Sequence, residues 1–219
     1  WKIDSDISRN EGIFKNLTKR IDGLSLGVIN ENDRDICSPE VLRSYDKLVL
    51  NLEEQGAIIS CYDPPISYLE ISKKMSNLIA IEAYHYHGHL YENSKNPMDE
   101  DVRRRVLSVR GFSAYDYIKL LEEREQAEHL FLDSIQGFDA LLTPSTAMEA
   151  PLAEDVDQSV SPGHFTRPFN YSGMCALSLP MGISENGLPL SIQVAARPFC
   201  EEMTIQVGAT IEELVPKLY

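Results

Sequence analysis

Serine, histidine and arginine are the residue types of this chain that could act on a substrate, and their spacing limits what each can do. Ser172-Gly173, within FNYSGM, comes nearest to an activated serine. A hydroxyl becomes a nucleophile when a base lies in reach and the backbone presents its oxygen, as the strained elbow GxSxG does. Neither glycine of that elbow is in place here, so a loop hydroxyl bonded to nearby backbone is the expected role. His85, His87 and His89 in HYHGH have the side chains of a metal site. On a helix only His85 and His89 share a face, no acidic or cysteine residue at ligand spacing completes the set, and Gly88 loosens the segment, so no metal is expected. Arg103, Arg104, Arg105 and Arg110 make the densest basic cluster. Successive helical positions point about 100° apart, so these side chains cannot all converge on one ligand. A solvated face with ion pairs to Asp99, Glu100 and Asp101 is the simpler expectation.

The elements that must carry these residues follow from the hydrophobic pattern. LSLGVI at 24–29 predicts a strand. Ser38 and Pro39 give a helix start, Val41, Leu42, Tyr45, Leu48, Val49 and Leu52 repeat at helical spacing, and Gly56 stops the run. AIISCY at 57–62 then predicts a second strand, so a βαβ unit with parallel strands is expected. Helical spacing returns from Ser67 to about Tyr91, and Ser113 with Asp116 forms a capping box for a helix to about Gln136. Along that helix Tyr117, Leu120, Leu121, Ala127, Leu130, Phe131 and Ile135 are expected to form one buried stripe. Beyond Gly137, ALL at 140–142, ALSLP at 176–180 and LSIQVAA at 190–196 read as strands and 201–214 as a helix. The predicted class is α/β, a mixed β-sheet core flanked by helices.

Composition excludes several functions. A chain of 219 residues, 43% hydrophobic and 25% charged, is ordinary globular material for one large domain or most of one. A net charge of −14 opposes binding to nucleic acid, which needs clustered cations to displace phosphate counterions. Four cysteines without a CxxC pair suggest neither zinc nor a disulfide framework, so a reducing, cytoplasmic setting is expected. No window approaches the roughly 20 apolar residues of a membrane span, and WKIDSDISRN lacks the order of a signal peptide. The polar stretch 1–23, beginning with Trp1 rather than Met, is expected to be a linker from a missing upstream segment, with 24–219 belonging to a single domain.

Three ordered blocks carry a family resemblance. FDALLTPSTAMEAP, starting at Phe138, is similar to the DALLTPTTPxxAP pattern of amidase-signature proteins. FTRPFNYSGMCALSLPMG is similar to their FTxPFNLTGLPALSxPxG, and GLPLSIQVAARPF to their GLPxGxQLxGRPF. Upstream, GLSLGV resembles the family's GLRIGV, while EAYHYHGHLYE and DEDVRRRVLSVRGFSAYDYIKLLEERE resemble its middle helices. The resemblance runs from about Gly23 to Glu213 and implies the C-terminal portion of the amidase-signature fold.

That family cleaves carboxamide bonds with a nucleophilic serine, a bridging serine and a lysine, drawn from GGSSGG-like and VKD-like stretches. Neither stretch occurs here, so the resemblance implies no catalytic residue in this chain and a triad supplied by an upstream segment. It implies instead part of a pocket for a small-molecule amide, with Ser145, Thr146, Phe165, Phe169 and Asn170 as lining candidates; loop packing and turn hydrogen bonds are the alternative roles. Gln193 either points to the ligand end of the sheet or satisfies backbone groups beside it. Relatives that take carboxylate-bearing amides use arginine forks, which makes Arg104 a binding candidate. GMCA replaces the family's GLPA, and Cys175 would need an activating neighbour such as His164 to be more than a buried structural residue. No cofactor, nucleic acid or membrane partner is implied, and a homo-oligomer stays open. The alternatives are the amidase subunit of a glutamine-dependent tRNA amidotransferase, and a non-catalytic binding module derived from an amidase half.

Overall fold

The computed structural model describes residue 14 and residues 17–157 and 162–215; most of the expected linker, residues 1–13 and 15–16, lies outside them. The chain divides into two compact units, the first formed by 1–63, 135–149 and 173–219, the second by 64–134 and 150–172.

The first unit holds a five-stranded sheet of order β2-β1-β3-β5-β4. Its strands are β1 Ser25–Ile29, β2 Ile58–Tyr62, β3 Ala140–Pro144, β4 Cys175–Ile183 and β5 Pro189–Ala196. The expected βαβ unit is present: β1 and β2 run parallel, joined through helix α2, Pro39–Glu54, after the short α1, Glu31–Arg34. The β1–β3 pair is also parallel, whereas β3–β5 and β5–β4 are antiparallel, which makes the sheet mixed. β3, with burial at all five positions, is the apolar centre. Pro180 is tolerated in β4 because that strand stands at the end of the order, where a missing N–H leaves no ladder bond unmade.

Helix α2 shows why local sequence suffices for some elements. Ser38 Oγ accepts the Val41 N–H at 3.4 Å, and Pro39 occupies a first-turn position that needs no donor. Val41, Tyr45, Leu48 and Leu52 then fall on one buried face. Tyr45 adds a polar anchor: its hydroxyl donates to Leu142 O at 2.8 Å and accepts the Ile29 N–H at 3.3 Å. Helix α7, Glu201–Leu214, closes on the same sheet with Gly208, where an added Cβ would stand 2.6 Å from Leu177 Cδ2.

The second unit is helical: α3 Tyr68–Glu92, α4 Glu100–Leu107, α5 Ala114–Ser134 and α6 Arg167–Tyr171. Tyr68 is its aromatic centre, stacked on Phe131 at 6.5 Å and edge-on to Phe165 and Phe169 at 6.2 and 6.0 Å. The capping box is reciprocal, with Ser113 Oγ accepting the Asp116 N–H at 3.2 Å and Asp116 Oδ2 accepting the Ser113 N–H at 2.8 Å. The expected α5 stripe is too wide. Ala127, Phe131 and Ile135 are buried, but Leu121 and Leu130 are 38% and 50% exposed, because a residue next to Phe131 in sequence points to another side of the helix. No helix of the described residues is long and apolar enough to cross a membrane.

Candidate functional site

The candidate residues divide between the two units, Ser145 and Thr146 falling in the first and Arg104, Phe165, Phe169 and Asn170 in the second. In the first unit, strand register sets Thr143, Gln193 and Ser178 side by side across three strands. Gln193 Nε2 donates to Thr143 Oγ1 at 3.0 Å, and Ser145 Oγ lies 2.7 Å from Ser178 Oγ. Thr143, Ser145 and Gln193 are buried and Ser178 is exposed, and the buried members meet their need for partners through these hydrogen bonds. Ser145 Oγ bonds to a hydroxyl and to no base among the described residues, so within them it can bind a polar group but is not activated to attack one. Thr146 is exposed and its hydroxyl donates to Met148 O at 2.9 Å.

The loop carrying Ser145 and Thr146 is fastened at two further points. Ala147 O accepts the Ser38 N–H at 2.7 Å, which links the loop to the cap of α2. Glu149 accepts from Asn186 in the β4–β5 turn, and hydrogen bonds from Ser184 and Asn186 hold its carboxyl below the usual range. The loop is therefore rigid by construction, which suits a pocket wall.

In the second unit Phe165 and Phe169 are fully buried around Tyr68 and act as ballast beneath α6. Asn170 is exposed at the end of that helix, and Arg124 ties the turn by donating to Tyr171 O at 3.0 Å and Asn170 O at 3.4 Å. Ser172 is buried with its hydroxyl donating to Pro168 O at 2.8 Å, the back-bonded loop role expected for it.

The arginines separate. Arg103, expected on a solvated face, is 6% exposed: its guanidinium donates to Tyr91 O, to Asn93 O at 3.0 Å, to Asn96 O at 2.8 Å and to Glu100 at 2.9 Å. It fastens the end of α3 and the following loop to α4, because only a five-donor planar fork can satisfy that many acceptors at once. Arg104 is exposed and paired with Asp101, and Arg110 pairs with Glu92 at 3.2 Å. Asp99, expected as an ion-pair partner, instead caps α4 by accepting the Asp101 and Val102 N–H groups.

Arg167 is the residue that sequence reasoning missed. Its Nη1 donates to Ser76 Oγ at 2.7 Å and Ser72 O at 3.3 Å on α3. Burial, then the positive charge of Arg105, lower its pKa below the usual arginine value, and no carboxylate pairs with it among the described residues. The arginine of FTRPFN was visible, but its burial against α3 was not.

His85, His87 and His89 are exposed on α3, with Tyr86 edge-on to His85 at 4.8 Å. Among the described residues no group of three or more His, Cys, Asp or Glu side chains could hold a metal ion. Burial, more than any other influence, pushes the Cys175 thiol up to about 11, and His164 packs edge-on against Tyr68 and Phe165.

Comparison with known proteins finds one family model, several curated relatives and several solved structures that match this chain. The family model described as Amidase matches residues 1–205, upstream even of Gly23. A glutamyl-tRNA(Gln) amidotransferase subunit from Granulibacter bethesdensis is 31% identical over 88% of this chain and 44% of its own length. The corresponding protein from Bartonella henselae is 29% identical over 88% of this chain and 45% of its own. A solved amidase matches with a TM-score of 0.79 at 22% identity, covering 90% of this chain and 47% of that one, which speaks to the fold alone. This chain spans a little under half the length of the curated relatives it matches.

Proposed function

Because the chain belongs to the amidase family, we propose that it is the C-terminal part of an enzyme hydrolysing carboxamide C–N bonds, with residues 24–219 completing a single amidase domain that an upstream segment begins. The observation carrying this reading is chemical. The matched blocks are rich in scaffold and poor in activated groups, and among the described residues the hydroxyls of Ser145 and Ser172, the serines best placed by motif, bond to a hydroxyl and to carbonyls. The upstream segment supplies the lysine that deprotonates a bridging serine, the serine that attacks the amide carbon, and backbone N–H groups for the oxyanion. The bridging serine then passes its proton to the leaving amine, and water releases the acyl group.

On this reading Ser145 and Thr146 offer polar groups to the substrate from the first unit; within the second unit Asn170 and Arg104 are the polar candidates, and Phe165 and Phe169 support α6. The protein works in the cytoplasm on small-molecule amides, without cofactor. The test is turnover of an aryl and an aliphatic amide by the 219-residue chain alone and together with an upstream half carrying the triad. Activity is expected only from the combination; an enzyme-like rate from the chain alone would sink the proposal.

A second reading has its own support. Several curated relatives are named as amidotransferase subunits, and the positive charge of Arg105 acts on the Arg167 guanidinium, which has no carboxylate partner among the described residues. Glutamine carries the carboxylate that such a pair would hold. Glutaminase activity in a complex with a second protein is the outcome that separates this reading from a free-standing amidase.

A further inference from the structure

β4 begins with Cys175, and Cys200 immediately precedes α7. The two residues meet at one carbonyl oxygen. Cys175 Sγ donates to Arg197 O at 3.1 Å, and the Cys200 N–H reaches the same oxygen at 3.1 Å. Strand register explains the first contact, since Cys175 lies opposite Ala196, the last residue of β5. The tight turn that follows explains the second. Phe199 takes φ 63°, a left-handed conformation uncommon outside glycine, and this reversal folds Cys200 back towards the start of β4. The Cys200 N–H also faces the Cys175 sulfur closely enough to oppose the effect of burial on that thiol.

We propose that Cys175 and Cys200 form a reversible dithiol–disulfide pair, a modification site that ties the first residue of the terminal strand β4 to the start of α7. Both residues are half-buried, so a small oxidant can reach them while a protein thiol cannot easily do so. A disulfide needs the two Cα atoms within about 4.4–6.8 Å, and the shared acceptor holds the Cys175 sulfur and the Cys200 backbone N–H each 3.1 Å from one oxygen. The other thiols are placed differently: Cys37 donates to Asp33 O at 3.4 Å, and Cys61 is exposed on β2.

With hydrogen peroxide as oxidant the reaction balances. One thiolate attacks a peroxide oxygen, becomes a sulfenic acid and releases water; the second sulfur attacks the sulfenic sulfur and expels a second water. Two thiols lose two electrons and two protons in total, and peroxide gains them. A dithiol reductant reverses the change by exchange. Burial, which pushes Cys175 up to about 11, leaves little thiolate at neutral pH. The pair should therefore close slowly at pH 7 and about tenfold faster per pH unit towards alkaline conditions.

Glu185 makes the experiment direct, because a glutamate-specific protease cuts between the two cysteines. The intact protein is treated with peroxide across a pH series, alkylated, digested and mapped by mass spectrometry. The expected product is a linked peptide pair joining Cys175 to Cys200, released by dithiothreitol, absent in Cys200→Ser and still formed in Cys61→Ser. Alkylated or sulfinic Cys175 and Cys200 without a link would overturn the proposal. So would links to Cys37 or Cys61 in equal yield. The wild-type map decides the matter even if a serine variant fails to fold.

Discussion

Single side chains in this protein differ in weight according to what surrounds them, and the arginines of α4 make the point. Arg103 satisfies three backbone carbonyls while almost fully buried, whereas its neighbour Arg104 stands 75% exposed beside Asp101. Arg103→Ala leaves those carbonyls without a donor and should destabilise the protein by about 3 kcal/mol. Arg104→Ala should change stability by no more than about 0.5 kcal/mol, as exposed ion pairs do. Denaturant melts of both variants check this, and equal effects would contradict the separation. Their sequence context is the same run, RRR, and nothing in that run distinguishes the two. The distinction comes from where the chain between Tyr91 and Asn96 lies against α4. Among the pocket candidates the same holds: Thr146 and Asn170 are exposed while Phe165 and Phe169 are not, although all four come from equally family-like motifs.

Elements were more legible than side-chain roles. Helix α2 was written in local signals from Ser38 to Gly56, and its stop lies at a close approach to Asp22. Gly56 takes φ 94°, and a Cβ there would lie 2.1 Å from Asp22 Oδ1. Gly56→Ala should therefore cost at least about 1 kcal/mol through backbone strain alone, with the Asp22 clash added. Gly111→Ala, where a Cβ meets nothing within 4 Å, should stay within about 0.5 kcal/mol. A smaller loss at Gly56 than at Gly111 in thermal melts would refute this account. The capping box of α5 was equally readable because it is made within one turn. Its buried stripe was not, since Leu121 and Leu130 meet the apolar pattern but lack a covering neighbour. Periodicity reports which residues could be buried; the packed partner decides which are.

At the scale of the molecule, the sheet has two ends, β2 and β4, and on β2 Ile58 is 57% exposed. An open strand edge with apolar residues invites further pairing. If the chain is the second part of an amidase domain, it should scatter light as a polydisperse species when expressed alone. Addition of the upstream half should give a single species of defined mass. A monomeric chain with one sharp melting transition would count against that reading.

What the sequence determined by itself was the family, the order of the strands and the approximate bounds of the long helices, because motifs, caps and hydrophobic periods are properties of neighbours along the chain. It also shows that no GGSSGG-like stretch occurs in these 219 residues, since a glycine-rich serine stretch can be recognised without any fold. The tertiary structure decided the rest: that Gln193 bonds Thr143 and Ser145 approaches Ser178, that Arg103 is a buried fastening, and that Cys175 and Cys200 share an acceptor. Each of these joins residues distant in the chain or depends on burial, and both follow from strand register and packing rather than from local sequence.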